Sequence, residues 1–298
     1  MGRWKYTLGF LLLVAVLVGL ALVSFPDKKL HLIACDVGQG DAILAVYGST
    51  QILFDGGPDS RVLSCLSRHM PFWDREIELV SLSHPQADHY QGLIAVFRNY
   101  KVDSFLATPL NSGSQGYELL KKEVGSSSTS VINPTAGMVI RFDSIYLDIV
   151  HPSNEYLAFN GRYQEAVPSG SGVLGAYTSS LDPNNFSIVA ILRFRDFDAL
   201  LTGDMGPEIT NGVLSTAKIK DVEYIKVPHH GSKNGLTKEL LDASTPEIAV
   251  ISVGKNNSYG HPHQEVIKLL REKAIKTFRT DEEGDVEVVT DGKNMKVY

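Results

Sequence analysis

Ser83-His84-Pro85-Gln86-Ala87-Asp88-His89 gathers two histidines, an aspartate and a glutamine into one short run. It follows the apolar segment Ile77–Ser83, which has the length and composition of a strand. It precedes Asp88–Tyr100, where Leu93, Ile94 and Phe97 recur at helical spacing. The run is therefore a strand-to-helix loop. Alternate side chains of an extended segment leave on the same side, so His84 and Gln86 are expected to point together. Asp88 and His89 are expected to turn toward a neighbouring point at the helix start. Asp88 also suits a helix N-cap, but capping explains neither histidine.

Three further segments carry the same kinds of donor. Leu200-Leu201-Thr202-Gly203-Asp204 ends an apolar strand in a carboxylate, and Val227-Pro228-His229-His230-Gly231-Ser232 ends another in paired imidazoles. Tyr259-Gly260-His261-Pro262-His263 lies in a loop before a helix, with His261 the better functional candidate and His263 a neighbour of the helix start. Six of the nine histidines fall in these runs and the first one. Adjacent side chains point apart in extended backbone, so only one of His229 and His230 is expected to face a metal. The other would serve as acid, base or phosphate contact. Imidazole, carboxylate and amide oxygen without thiolate suit zinc or manganese. Paired cations would activate a water and clamp a phosphoryl oxygen, with Asp204 lending one oxygen to each.

The charge balance excludes a globally basic nucleic-acid binder. Acidic residues number 34 against 28 basic ones, a net charge of −6. The first 25 residues hold two bases, Arg3 and Lys5, and no acid, so the remainder stands at 34 against 26, or −8. A phosphodiester would then be met by a cation and by local bases, with Lys233, Arg61 and Lys255 the candidates. Cys35 and Cys65 are the only cysteines, too few for a Cys-based zinc site. They form one bridge or remain buried thiols, and the sequence does not choose between these.

From Tyr6 to Pro26 no charge occurs, and Leu8–Val23 is almost wholly apolar. About 20 such residues at ~1.5 Å each span a hydrocarbon core of ~30 Å. Residues 1–29 are thus expected to form an N-terminal transmembrane anchor and short linker. A cleaved signal is the alternative, but no clean A-x-A site follows the apolar run. Arg3 and Lys5 place the N-terminus in the cytoplasm and the body outside a bacterial-type membrane, crossed once, although Lys28 and Lys29 weaken the asymmetry.

Beyond Pro26, short β-type runs alternate with helical ones. Strands are expected at Leu30–Val37, Ala42–Tyr47, Gln51–Phe54, Val102–Leu106, Ile145–Val150 and Phe186–Phe194. More follow at Ala199–Thr202, Val222–Val227, Glu247–Val253, Lys276–Arg279 and Val286–Thr290. Helices are expected at Ser60–Met70, Tyr117–Val124, Lys238–Ala243 and Gln264–Lys273. Two groups of strands with interspersed helices imply sheets covered on their outer faces, in one catalytic-size unit over residues 30–298. Pro152–Pro183 lacks periodicity and reads as a binding lid or an insertion without order.

The motif His84-x-Gln86-x-Asp88-His89, then Thr202-Gly203-Asp204, then a strand ending in His230, resembles the metallo-β-lactamase superfamily, whose signature is H-x-H-x-D-H. More narrowly, Asp36–Asp41, Phe54–Gly57, Asn184–Ser187, Leu200–Asp204, Val227–Ser232 and Tyr259–Pro262 resemble the extracytoplasmic domain of ComEC-type competence proteins. These motifs occur in order over roughly residues 30–290. The resemblance implies an α/β fold of the αββα sandwich type, with a metal site at one edge of the two sheets. It also implies metal-dependent hydrolysis and, for this branch, degradation of a DNA strand during uptake. By position it assigns His84, Gln86, Asp88, His89, Asp204 and His230 to one or two divalent ions, Zn or Mn. Asp88, His229 and His261 are then the catalytic candidates. Asp36, Asp41, Asp55, Asn185, Ser232 and Lys233 would support the metal or contact substrate. Two departures stand out. Gln86 replaces the usual His (Asp in this branch) with a weaker neutral donor, and Asn184-Asn185-Phe186-Ser187 stands where a third-motif histidine belongs. Complete ComEC proteins also carry a multi-span channel, whereas this sequence has one apolar helix.

The expected function is a membrane-anchored, metal-dependent phosphodiesterase or nuclease with DNA as leading substrate. Its catalytic domain would be monomeric, with a channel protein in trans as a partner. The alternatives are hydrolysis of another ester, of the phosphorylcholine esterase or lactonase type, and a non-catalytic module that binds DNA or a partner.

Overall fold

A computed structural model describes residues 3–24, 27–163 and 172–298, with side chains described for 4–16, 27–162 and 172–298. One sheet has eight strands in the order Met295–Val297, Val286–Thr290, Leu30–Ala34, Ile43–Tyr47, Thr50–Phe54, Glu76–Leu82, Lys101–Ala107 and Ser130–Ile132. The other has seven, in the order Lys276–Arg279, Ile248–Ile251, Tyr224–Lys226, Phe197–Leu201, Val189–Phe194, Ile145–His151 and Val139–Phe142.

Strand periodicity explains how the layers assemble. In the first sheet Leu32, Ala45, Ile52 and Leu79 face the second sheet, meeting Leu147, Ala190, Leu192 and Leu201 in a shared core. Their chain neighbours Ile33, Leu44, Leu53 and Val80 point the other way. There they pack on the helices Val62–His69, Ala87–Asn99 and Gln115–Ser126. In the second sheet Ile191, Leu200 and Ala249 likewise face Pro207–Ser215, Lys238–Ser244 and Gln264–Glu272. Both faces of both sheets are therefore covered, which is why these strands read as nearly unbroken apolar runs. The result is an α/β sandwich with helix, sheet, sheet and helix layers.

Most expected elements occur within a few residues of their predicted bounds, and the exceptions have physical causes. Pro152–Pro183 is not a plain loop: Ser153 caps a helix over Asn154–Asn160, and Arg162–Tyr163 pairs with Tyr177–Thr178. Residues 164–171 of that segment lie outside the described residues. The strand expected from Phe186 begins only at Val189, because Asp182 caps a 3₁₀ turn over Pro183–Phe186. Helix Pro207–Ser215 was not predicted; its Thr, Asn and Gly are weak helix formers, and burial of Ile209, Thr210 and Val213 holds it. Cys35 and Cys65 form a buried disulfide with Cα atoms 5.8 Å apart, tying the end of the first strand to helix Val62–His69.

The N-terminal helix runs over Arg3–Ser24. Among the described residues no helix is long and apolar enough to cross a membrane. The side chains of residues 17–26, part of the anchor expected over residues 1–29, lie outside the described residues.

Candidate metal centre

Strands Thr50–Phe54 and Glu76–Leu82 run parallel in the first sheet, and Phe197–Leu201, Tyr224–Lys226 and Ile248–Ile251 run parallel in the second. Asp55, His84, Asp204, His230 and Ser252 all lie just past the C-terminal ends of these strands. Loops at that end of parallel strands are where sites collect in layered α/β folds. Helix Ala87–Asn99 must sit close against the turn at Asp55–Asp59 to deliver His89. Gly92 permits it, since a Cβ there would stand 1.9 Å from the Gly56 carbonyl oxygen.

Donor atoms of Asp88, His89, Asp204 and His230 lie within 4.8 Å of one another. Asp204 Oδ2 is 3.3 Å from Nε2 of both His89 and His230. Asp88 Oδ2 is 3.4 Å from His230 Nε2 and 3.9 Å from His89 Nε2. Ligands bound ~2.0–2.2 Å from a tetrahedral ion stand about 3.3–3.6 Å apart, so three of these spacings suit a shared cation as they stand and the 3.9 Å one is slightly wide. They do not suit hydrogen bonds: the buried Nε2 atoms of His89 and His230 have no hydrogen-bond partner among the described residues.

The opposite ring nitrogens explain why Nε2 is the free one. His89 Nδ1 is 2.9 Å from Asp55 Oδ2, and His230 Nδ1 is 2.9 Å from the Ser252 carbonyl oxygen. Both partners only accept, so Nδ1 carries the proton and Nε2 is left for a ligand. His84 follows the same logic. The Ser83 hydroxyl donates to Asp55 Oδ2 at 2.7 Å, so it can only accept from His84 Nδ1 at 3.0 Å. His84 Nε2 is likewise buried without a partner.

The cluster is rich in negative charge. Asp41, Asp55 and Asp204 are buried and Asp88 is about a third exposed. The cation among them is Lys226, 1% exposed, whose Nζ donates to the Gly203 carbonyl oxygen at 2.8 Å, to Asp204 Oδ1 at 3.2 Å and to Asp41. Burial opposes the charge on Asp204, but His230, His89 and Lys226 hold its carboxyl well below the usual carboxylate range. Burial likewise disfavours protonating His89 and His230, yet the surrounding carboxylates, Asp204 foremost, raise both well above the ordinary imidazole value. A site that pulls protons onto its imidazoles is short of positive charge, and a metal ion competes for the same nitrogens.

The other sequence candidates divide between this cluster and its surroundings. His84 is fully buried with its ring centroid 4.2 Å from that of His89, and burial, then His89, pushes it down to about 4. Gln86 is the half-buried N-cap residue of helix Ala87–Asn99, and its side chain makes no hydrogen bond among the described residues. Asp88 therefore does not cap that helix; it sits in the first turn with its carboxylate on the cluster. Asp41 approaches His230 Nδ1 at 3.3 Å, and Asp55 accepts from Ser83 and His89. Asp36 is exposed instead, its carboxylate accepting from the Gly38 N–H in a surface turn.

His229 and His230 are not extended. Both adopt left-handed backbone, at φ 52° and 53°, and the tight turn sends His230 into the cluster while His229 stays at the rim. The His229 and His261 rings are 5.9 Å apart. Burial lowers His229, and burial with His230 and His229 pushes His261 down to about 4. His263 is the N-cap residue of helix Gln264–Glu272, without a side-chain cap bond. Asn185 is buried, its carbonyl oxygen accepting from His151, and Ser232 accepts from the Asn234 N–H. Lys233 and Lys255 are exposed and make no ion pair among the described residues, whereas Arg61 pairs with Asp59 at 2.9 Å.

Sequence reasoning missed Lys226, Ser83 and Ser187, whose Oγ accepts from the Asp204 N–H at 3.2 Å. Lys226 had left a signal, as the one charged residue in the apolar stretch Tyr224–Val227 before the histidine pair.

No family model matches the chain. It is 38% identical over 104 residues to the ComE operon protein 3 of Bacillus subtilis, a match covering 35% of this chain and 13% of that protein. It is 26% identical over 288 residues to recombination protein 2 of Haemophilus influenzae, covering 95% of this chain and 32% of that protein. The chain thus spans about a third or less of the length of these relatives. Among solved structures, the metallo-β-lactamase fold protein YhfI of Bacillus subtilis superposes with a TM-score of 0.52 at 10% identity, covering 84% of this chain and 96% of that one. The chain is also 24% identical over 280 residues to competence protein ComA of Neisseria gonorrhoeae, covering 92% of this chain and 34% of that protein. Four convergent donors, the layered sandwich and these likenesses agree: the chain carries the metallo-β-lactamase fold and is similar in sequence to bacterial competence and recombination proteins.

Proposed function

We propose that the protein is a metal-dependent phosphodiesterase, with DNA as its leading substrate, tethered to a bacterial-type membrane by residues 1–29 and working through the domain over residues 30–298. The carrying observation is the 3.3–3.9 Å spacing of Asp88, His89, Asp204 and His230 donor atoms around imidazole nitrogens that have no other partner. A divalent ion bound there, Zn or Mn, supplies Lewis-acid activation of water and charge stabilisation at a phosphoryl oxygen.

The chain's own residues do the rest. Asp55 and the Ser252 carbonyl hold the two imidazoles in register. His229 or His261, at the rim and held neutral by burial, would take a proton from the attacking water on a ring nitrogen and pass it to the leaving oxygen. Lys233 and Lys255, free of acidic partners among the described residues, offer local positive charge that the −8 body otherwise lacks. The match to a recombination protein favours DNA among phosphodiesters. The apolar run Leu8–Val23 supports the tether, and the disulfide suits the oxidising, extracytoplasmic side.

The test is cleavage of linear DNA and of a chromogenic phosphodiester by the full chain with Mn, Zn, Mg or chelator. Carboxyl esters and β-lactams serve as competing substrates. Manganese should support more cleavage of phosphodiesters than magnesium, and Asp88→Ala should abolish it. Undiminished activity in folded Asp88→Ala refutes the proposal.

A further inference from the structure

We propose that the centre holds a single divalent cation and that the ammonium of Lys226 stands in for a second. The inference rests on the metal-site reading above but goes beyond it, since the sequence left one or two ions open and cast Asp204 as a bridge.

Asp204 is not free to bridge. Its Oδ2 faces the His89 and His230 imidazoles at 3.3 Å, while its Oδ1 accepts from Lys226 Nζ at 3.2 Å. Lys226 has no reason to move aside. Its three N–H groups meet three acceptors, Gly203 O, Asp204 Oδ1 and an Asp41 carboxylate oxygen, in a position 1% exposed. A lysine withdrawn from that place would leave Asp41 and Asp204 Oδ1 without the buried cation they share.

The donors that remain for a second ion are few. His84 offers one unpartnered Nε2. Gln86 offers only a neutral amide, which no hydrogen bond orients among the described residues. Where a third histidine would stand, the Ser187 hydroxyl is occupied by the Asp204 N–H and Asn184 Oδ1 is a neutral oxygen. One imidazole and weak amide oxygens fall short of the three or four ligands that hold a divalent ion. The four donors on the other side meet that number.

The full chain is loaded with Mn(II), freed of excess ion, and assayed for manganese per chain together with its electron paramagnetic resonance spectrum. One ion per chain and the six-line spectrum of an isolated Mn(II) are expected. Two ions with an exchange-coupled spectrum overturn this inference and leave the hydrolase proposal standing. A folded chain that retains none overturns the metal-site reading itself. Gln86→His restores the usual donor and should still bind one ion, because Lys226 keeps Asp204 Oδ1. Gln86→His with Lys226→Gln should rise to two. A second ion in Gln86→His alone, or a single ion in the folded double variant, refutes the role given to Lys226.

Discussion

Asp55→Asn separates shape from charge at the residue that orients His89. Asp55 Oδ1 accepts from the Ser83 N–H at 2.7 Å, and Oδ2 accepts from the Ser83 hydroxyl at 2.7 Å and from His89 Nδ1 at 2.9 Å. Asparagine has the same outline and tolerates the left-handed backbone at φ 59° as well as aspartate does. The amide oxygen must stay on the Ser83 N–H, because that donor cannot reverse. The amide NH2 then faces His89 Nδ1, which must present a lone pair to receive it. The ring proton moves to Nε2, the atom that faces Asp204 and the candidate ion. Losing such an orienting partner weakens metal binding about 10- to 100-fold, or about 1.4–2.7 kcal/mol. Calorimetric titration with Mn or Zn should show that loss, while melting in chelator should show a folded variant. Wild-type affinity in folded Asp55→Asn would refute the tautomer argument.

Other outcomes follow from groups away from the cluster. His151 is 4% exposed with Nε2 3.0 Å from the Asn185 carbonyl oxygen, and burial pushes it from 6.5 down to about 4. The folded state therefore resists a proton that the unfolded chain accepts. Stability should hold above pH 6.5 and lose about 3 kcal/mol as pH falls through about 4. Urea unfolding at pH 7 and pH 4.5 should show this loss reduced in His151→Gln; identical losses in variant and parent would refute it. Cys35→Ala with Cys65→Ala opens a link between residues 30 apart and should cost about 3–4 kcal/mol by chain entropy. An unfolding midpoint that reduction leaves unchanged would contradict it.

Much of the architecture was legible because burial on two faces leaves a local trace. Ile248–Ile251 is apolar at every position and became a fully buried strand, and Ile77, Leu79, Val80 and Leu82 likewise mark a strand in which all four are buried. Elements held by tertiary packing alone were not legible. Pro207–Ser215 lacks strong helix formers, and the edge strands Ser130–Ile132 and Met295–Val297 are only three residues each, too short for a period to show. The disulfide was undecidable because nothing local tells Cys35 how near Cys65 will stand.

The centre shows the same division. Residue types and their places at strand ends are written along the chain, so the donor inventory of Asp88, His89, Asp204 and His230 could be drawn up before any fold was seen. Which atoms face one another could not. The left-handed turn that sends His230 inward, the exposed position of Asp36 and the burial of Lys226 between Asp41 and Asp204 arise only when the two sheets stack. Periodicity is a property of neighbours along the backbone. The pairing of charges buried far apart in sequence is set by which strand ends the packed core brings together.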